Sequence, residues 1–71
     1  MNPDLIKDIF TYHPPKPEQI AIYEQINKMF LNIAQQLTLI LPEGPGKTTA
    51  IRKLAECRMQ ANATVALEGK F

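Results

Sequence analysis

Apolar residues return every three or four positions from Glu18 to about Ile40. Ile22, Ile26, Met29, Ile33, Leu37 and Ile40 form the stripe, and Tyr23, Phe30, Ala34 and Leu41 widen it. One wide apolar face at this spacing predicts an amphipathic helix packed against a partner. The apolar run 37–41 has the density of a strand, but the helical period continues straight into it, so it reads as the end of the same helix. A second period runs from about Pro45 to Leu67. Its face carries Ile51, Leu54, Ala61 and Val65, with Ala50, Ala55 and Cys57 beside them. The intervening Leu-Pro-Glu-Gly-Pro-Gly ends one helix and makes a turn, so the two helices are expected to be antiparallel neighbours. Ala50, Ala61, Ala63 and Ala66 would let them approach closely.

The N-terminal stretch is punctuated by proline. Pro3 opens PDLIKDIF, in which Leu5, Ile6, Ile9 and Phe10 fall at helical spacing and predict a short helix. His13, Pro14 and Lys16 each precede a proline, which biases residues 11–16 toward extended geometry. Pro17 suits the first turn of the next helix, with Glu18 beside it at the positive end of the helix dipole. The predicted fold is all-α: a short N-terminal helix followed by an antiparallel two-helix hairpin, in a single domain spanning residues 1–71.

Composition adds a stability argument. A chain of 71 residues buries little apolar surface, and small proteins add disulfides, metals or partner chains. With one cysteine, Cys57, and one histidine, His13, neither an internal disulfide nor a dedicated zinc site is expected. Self-association remains, so a homo-oligomer is expected. Cys57 reads as packed. The net charge of +1, without a basic block, argues against duplex nucleic acid but leaves room for a small anion. No apolar run approaches the roughly 20 residues that span a bilayer, and the N-terminus lacks a signal-peptide layout. A cytoplasmic protein without metal or cofactor is expected, and a lone reduced cysteine suits that compartment.

Gly46-Lys47-Thr48 matches the second half of a P-loop. The first glycine of that motif would stand at position 41, which is Leu41, and Pro45 removes an N–H that would cradle phosphate. Gly44, Pro45 and Gly46 are then a turn and a helix start. Lys47 lies in the first turn of a helix, where the dipole disfavours a cation by about 0.3–1 kcal/mol. An anion there would gain from Lys47, from the free first-turn N–H groups and from the hydroxyl of Thr48 or Thr49; the alternative is a solvated lysine. Tyr12 sits on the stiff segment and is either a stacking platform for a nucleobase or packing over the hairpin. His13 lacks the partners that nucleophilic catalysis or metal binding requires. The carboxylates read as solvated helix faces and termini. Asn62 falls close to the apolar face of the last helix, where a buried Asn implies a specific hydrogen bond or a register device.

The segments FTYHPPKPEQIAIYEQIN and TTAIRKLAECRMQANATVA resemble the helical-hairpin proteins of bacteriophages that sponge up cyclic nucleotide signals, the anti-CBASS and anti-Thoeris proteins. The similarity covers about residues 9–67. Its most specific parts are Tyr12-His13-Pro14-Pro15 and the end formed by Met59, Ala61, Asn62, Ala63 and Ala66. The resemblance implies a helical protomer assembled into a homo-oligomer, typically a hexamer, that sequesters cyclic dinucleotides between protomers, cyclic trinucleotides on a threefold axis, or cyclic ADP-ribose isomers, without catalysis. It implies action in the host bacterial cytoplasm against the messenger of a defence effector. Tyr12 matches the base-stacking tyrosine, flanked by His13 and Pro14. Relatives often carry Lys or Arg where this chain has Asn27. Lys28 is adjacent but lies about 100° round the helix. Lys47 matches a basic residue opening the last helix, with Thr48 beside it. A small helical interaction module without ligand is the other reading.

Overall fold

A computed structural model describes residues 2–70. Among them are three helices, α1 (Pro3–Phe10), α2 (Pro17–Ile40) and α3 (Pro45–Ala66), and no strand. Asn2 caps α1, its Oδ1 accepting from the Asp4 N–H at 2.8 Å, and Pro3 occupies the first helical position. Thr11 is extended and ends that helix. α2 and α3 pack against each other as an antiparallel hairpin, whereas the backbone of α1 makes no close approach to either. The molecule measures 44 × 29 × 16 Å.

The turn is short because both ends are set by backbone chemistry. Leu41 leaves α2 extended, and Gly44 opens α3 with φ at 154°, a conformation that favours glycine. Pro45 follows at the first helical position, where its missing N–H is no loss. At the far end the Gly69 N–H donates to Thr64 O at 3.0 Å and the Glu68 N–H to Val65 O at 3.2 Å, a Schellman closure. Glu68 takes the left-handed position, φ 53°, that glycine usually fills.

The open end of the hairpin is tied by Gln19, which is only 8% exposed. Its Oε1 accepts from the Lys16 N–H at 3.0 Å, and its own N–H donates to Lys16 O at 2.9 Å. Its Nε2 crosses to α3 and donates to Val65 O at 3.1 Å. Lys16 and Glu68 form an ion pair over the same junction. Gln19 three residues after the residue that precedes the helix is a capping signal, but Lys16 in place of Ser or Thr disguises it in the sequence.

The hairpin covers less of the apolar face than the sequence predicts. Tyr23, Ile26, Phe30, Ala34, Leu37 and Leu41 are half-buried, but Ile22, Met29, Ile33 and Ile40 are exposed. The exposed four lie about 80° round the helix from the covered line, at 100° per residue. A single partner helix covers one flank of so wide a stripe. On α3, Ile51, Leu54, Ala61 and Val65 are half-buried as expected, and Ala50, Ala63 and Ala66 with them. Ala55 and Cys57 are exposed, which corrects the expectation of a packed thiol: Cys57 lies well off the line through Ile51, Leu54 and Ala61. Among the described residues, Leu67 at 7% exposure is the most buried apolar side chain. Among the described residues, Asn62 Oδ1 is buried and has no hydrogen-bond partner, so the expected bond is not made by that atom.

Two predictions follow from the junction of α2 and α3. Gln19→Leu removes the cross-helix bond to the Val65 carbonyl, which keeps the Glu68 N–H, so urea unfolding should show a loss of about 0.5–1.5 kcal/mol. The Lys16 ammonium holds the Glu68 carboxyl below the ordinary glutamate range, and Glu68 holds Lys16 above the ordinary lysine range, mainly through their shared hydrogen bond. The stabilisation is present at neutral pH, is lost in acid as Glu68 protonates below its unfolded value, and is lost in base as Lys16 deprotonates above its own. Glu68→Gln should therefore destabilise at neutral pH and make no difference in strong acid.

Candidate ligand-binding surfaces

The residues singled out by sequence fall at three stations along the hairpin. Tyr12, His13 and Pro14 stand at the open end, on the extended segment between α1 and α2. Tyr12 is 81% exposed. Its proline-stiffened support leaves the ring little freedom to lose on stacking, which fits a platform rather than packing over the hairpin. Pro14 is exposed, and His13 is half-buried, with Nε2 donating to Asp8 O at 2.5 Å. That bond ties the segment back to α1. A concavity of about 510 Å³ opens here, lined by Asp8, His13, Pro14, Lys16, Glu68 and Lys70 among others. Its acidic and basic groups balance.

Lys47 and Thr48 stand at the closed end. Lys47 is not solvated: its side chain is 12% exposed. Its Nζ donates to Thr38 O at 2.9 Å and pairs with Glu43. The dipole of α3 disfavours a cation here, but the negative end of α2 and the Glu43 carboxylate lie within the same reach and offset it. The lysine thus closes an unsatisfied carbonyl in the last turn of α2. Thr48 is exposed, and Thr49 Oγ1 donates back to Pro45 O at 3.0 Å. α3 is preceded by a helix, not the strand a P-loop requires.

Asn27 and Lys28 lie near the middle of α2. Both are exposed and border a shallow concavity of about 610 Å³ with Ala21, Glu24, Gln25 and Leu31. Asn27 also faces α3, where its Oδ1 accepts from Arg58 Nη1 at 3.3 Å. Sequence reasoning did not single out Arg58. The signal was available: Arg58 interrupts the apolar period that runs through Ile51, Leu54, Ala61 and Val65, so its guanidinium lands at the helix–helix seam.

The structure does not bring the three stations together in one chain. α2 has 24 residues, and at a rise of about 1.5 Å per residue the open and closed ends lie about 36 Å apart. A small ligand cannot touch both Tyr12 and Lys47 of one chain.

The family model for the Acb2/Tad1 hairpin domain matches residues 2–66. The chain belongs to that family. No curated protein and no solved structure matches it. Acb2/Tad1 membership is consistent with a phage protein that sequesters cyclic nucleotides. Among the described residues, no helix of this hairpin is long and apolar enough to cross a membrane.

The Acb2/Tad1 hairpin turn gives its own prediction. Lys47→Met leaves Thr38 O and Glu43 without their cation and should cost about 1–2 kcal/mol in thermal or urea unfolding. Thr48→Ala, on an exposed side chain, should fall within about 0.5 kcal/mol of the unaltered protein. Any loss of ligand affinity in a Lys47 variant has to be read beside that melting curve.

Proposed function

We propose that this protein binds and sequesters cyclic oligonucleotide immune signals, cyclic dinucleotides or cyclic trinucleotides, without cleaving them, and so blocks a CBASS-like defence in the cytoplasm of the host bacterium. Family membership over residues 2–66 is the observation that carries this reading. The exposed Tyr12 supports it as the base-stacking group, with His13 and Pro14 holding its segment. Asn27 and Lys28 are the polar groups of the middle station. Lys47 and Thr48 are the anion-facing groups of the closed end, where Lys47 serves the hairpin in the empty protein as well.

In this reading the working form is a homo-oligomer, a hexamer of single-domain protomers. The exposed Ile22, Met29, Ile33 and Ile40, which share one flank of α2, support it. Contiguous apolar surface of this kind marks an interface. A protomer with so few buried side chains also gains little stability alone. The three separated stations support binding sites shared between copies, because no single chain surrounds a ligand with all of them.

A thermal-shift screen tests the function. It uses cyclic dinucleotides, a cyclic trinucleotide, cyclic ADP-ribose isomers and ATP. Ligand at about 100 times its Kd should add about 2.7 kcal/mol of stability. Stabilisation by a cyclic di- or trinucleotide but not ATP is the expected result, abolished in Tyr12→Ala with the sedimentation profile unchanged. Stabilisation by cyclic ADP-ribose alone would move the ligand class to Thoeris-type signals. No shift with any of them would leave a helical interaction module. Sedimentation of a folded monomer at low concentration would overturn the oligomer.

A further inference from the structure

Arg58 combines partial burial with the absence of a counter-charge. The ion pairs among the described residues join Lys16 to Glu68, Lys47 to Glu43 and Lys53 to Glu56, and Arg58 is in none of them. Lys47 is the half-buried lysine, and it has Glu43; the remaining lysines and Arg52 are exposed. Arg58 instead bonds the neutral Oδ1 of Asn27. Arg58 is thus a half-buried residue whose guanidinium has a neutral hydrogen-bond partner and, among the described residues, no paired anion, so an arriving anion would meet an uncompensated charge.

The surroundings define what would replace it. Arg58 and Asn27 border a groove of about 350 Å³ between α2 and α3, whose walls are Phe30, Leu31, Ala34, Ile51, Leu54 and Ala55. The guanidinium has five N–H donors in a planar fork, and Asn27 takes one, so the rest of the fork is available. A planar fork matches two oxygens of one phosphate group. An apolar wall carrying a phenyl ring accepts the face of a base. A charge at one end and an apolar slot beside it complement a nucleotide: one phosphodiester and the base attached to it. Asn27 is exposed and cannot neutralise a phosphate, but it sets the direction of the fork from across the seam.

Building on the binding function above, we propose that Arg58 is the phosphate-binding residue of a nucleotide site in the α2–α3 groove, that Asn27 orients its guanidinium, and that the base lies on the wall of Phe30 and Ile51. The positive charge for this station thus comes from α3.

Calorimetric titration of the protein with cyclic di-AMP, cyclic di-GMP, cyclic GMP-AMP, a cyclic trinucleotide and cyclic ADP-ribose, at two salt concentrations, tests it. Arg58→Gln should weaken the binding seen in the unaltered protein by about tenfold or more, the equivalent of one charge-assisted hydrogen bond. It should also flatten the salt dependence, with melting and sedimentation unchanged. Arg58→Lys should recover part of the affinity and the salt dependence, and Asn27→Ala should lose less than Arg58→Gln. Unchanged affinity and salt dependence in Arg58→Gln would overturn the assignment while leaving the binding function standing. An Arg58→Gln protein that binds normally per folded chain but sediments as smaller species would assign Arg58 to a contact between copies, and would also overturn it. An unaltered protein that binds no member of the panel would remove the functional reading as well.

Discussion

Antiparallel helices bring the N-terminus of each beside the C-terminus of the other, and this hairpin is held by what passes between those ends. At one end Gln19, in the first turn of α2, reaches the Val65 carbonyl in the last turn of α3. At the other, Lys47, in the first turn of α3, reaches the Thr38 carbonyl in the last turn of α2. The last four carbonyls of a helix have no i+4 partner within it; Lys47 satisfies the Thr38 carbonyl, and Gln19 adds a second donor to a Val65 carbonyl that also accepts from the Glu68 N–H. Together the two links set the register of α2 against α3. That register brings Asn27 level with Arg58, and Asn62 level with Tyr23. A shift of one helical turn would break both closures and separate Arg58 from the amide that directs it.

The apolar chemistry is arranged around that frame, and the hairpin uses only part of it. One flank of the α2 stripe meets α3, and the other flank, with Ile22, Met29, Ile33 and Ile40, remains on the surface of the protomer. Burial of such side chains is worth about 1.5–3 kcal/mol each, so an assembly that covered them would add more stability than any single contact inside the hairpin. The unpartnered Asn62 Oδ1 carries the opposite sign, since a buried acceptor left unmade costs about 1–3 kcal/mol. The proposed oligomer therefore answers a deficit that is visible in one chain.

Two of the three stations change meaning once the frame is known. Lys47, which resembles the lysine of a P-loop, has a structural task at the hairpin turn, and a phosphate arriving there would compete with Glu43 for it. Arg58, which interrupts the apolar period of α3, is half-buried and, among the described residues, in no ion pair. Tyr12 stands exposed on the extended segment between α1 and α2, where it does not pack over the hairpin.

The three helices, the turn and the tyrosine segment were legible in the sequence because local rules govern them. Periodicity of 3.6, proline at the first helical position, glycine before α3 and the bias of residues preceding proline act over a few neighbours. Which flank of the α2 stripe is covered was decided only by tertiary structure, because a stripe wider than one partner helix admits several facings and the end-to-end links choose between them. The same links decided that Gln19 is buried, that Lys47 is held rather than free, and that Arg58 meets Asn27 across 31 residues of chain. Each of those depends on the register between two helices, a quantity that no short window of sequence contains.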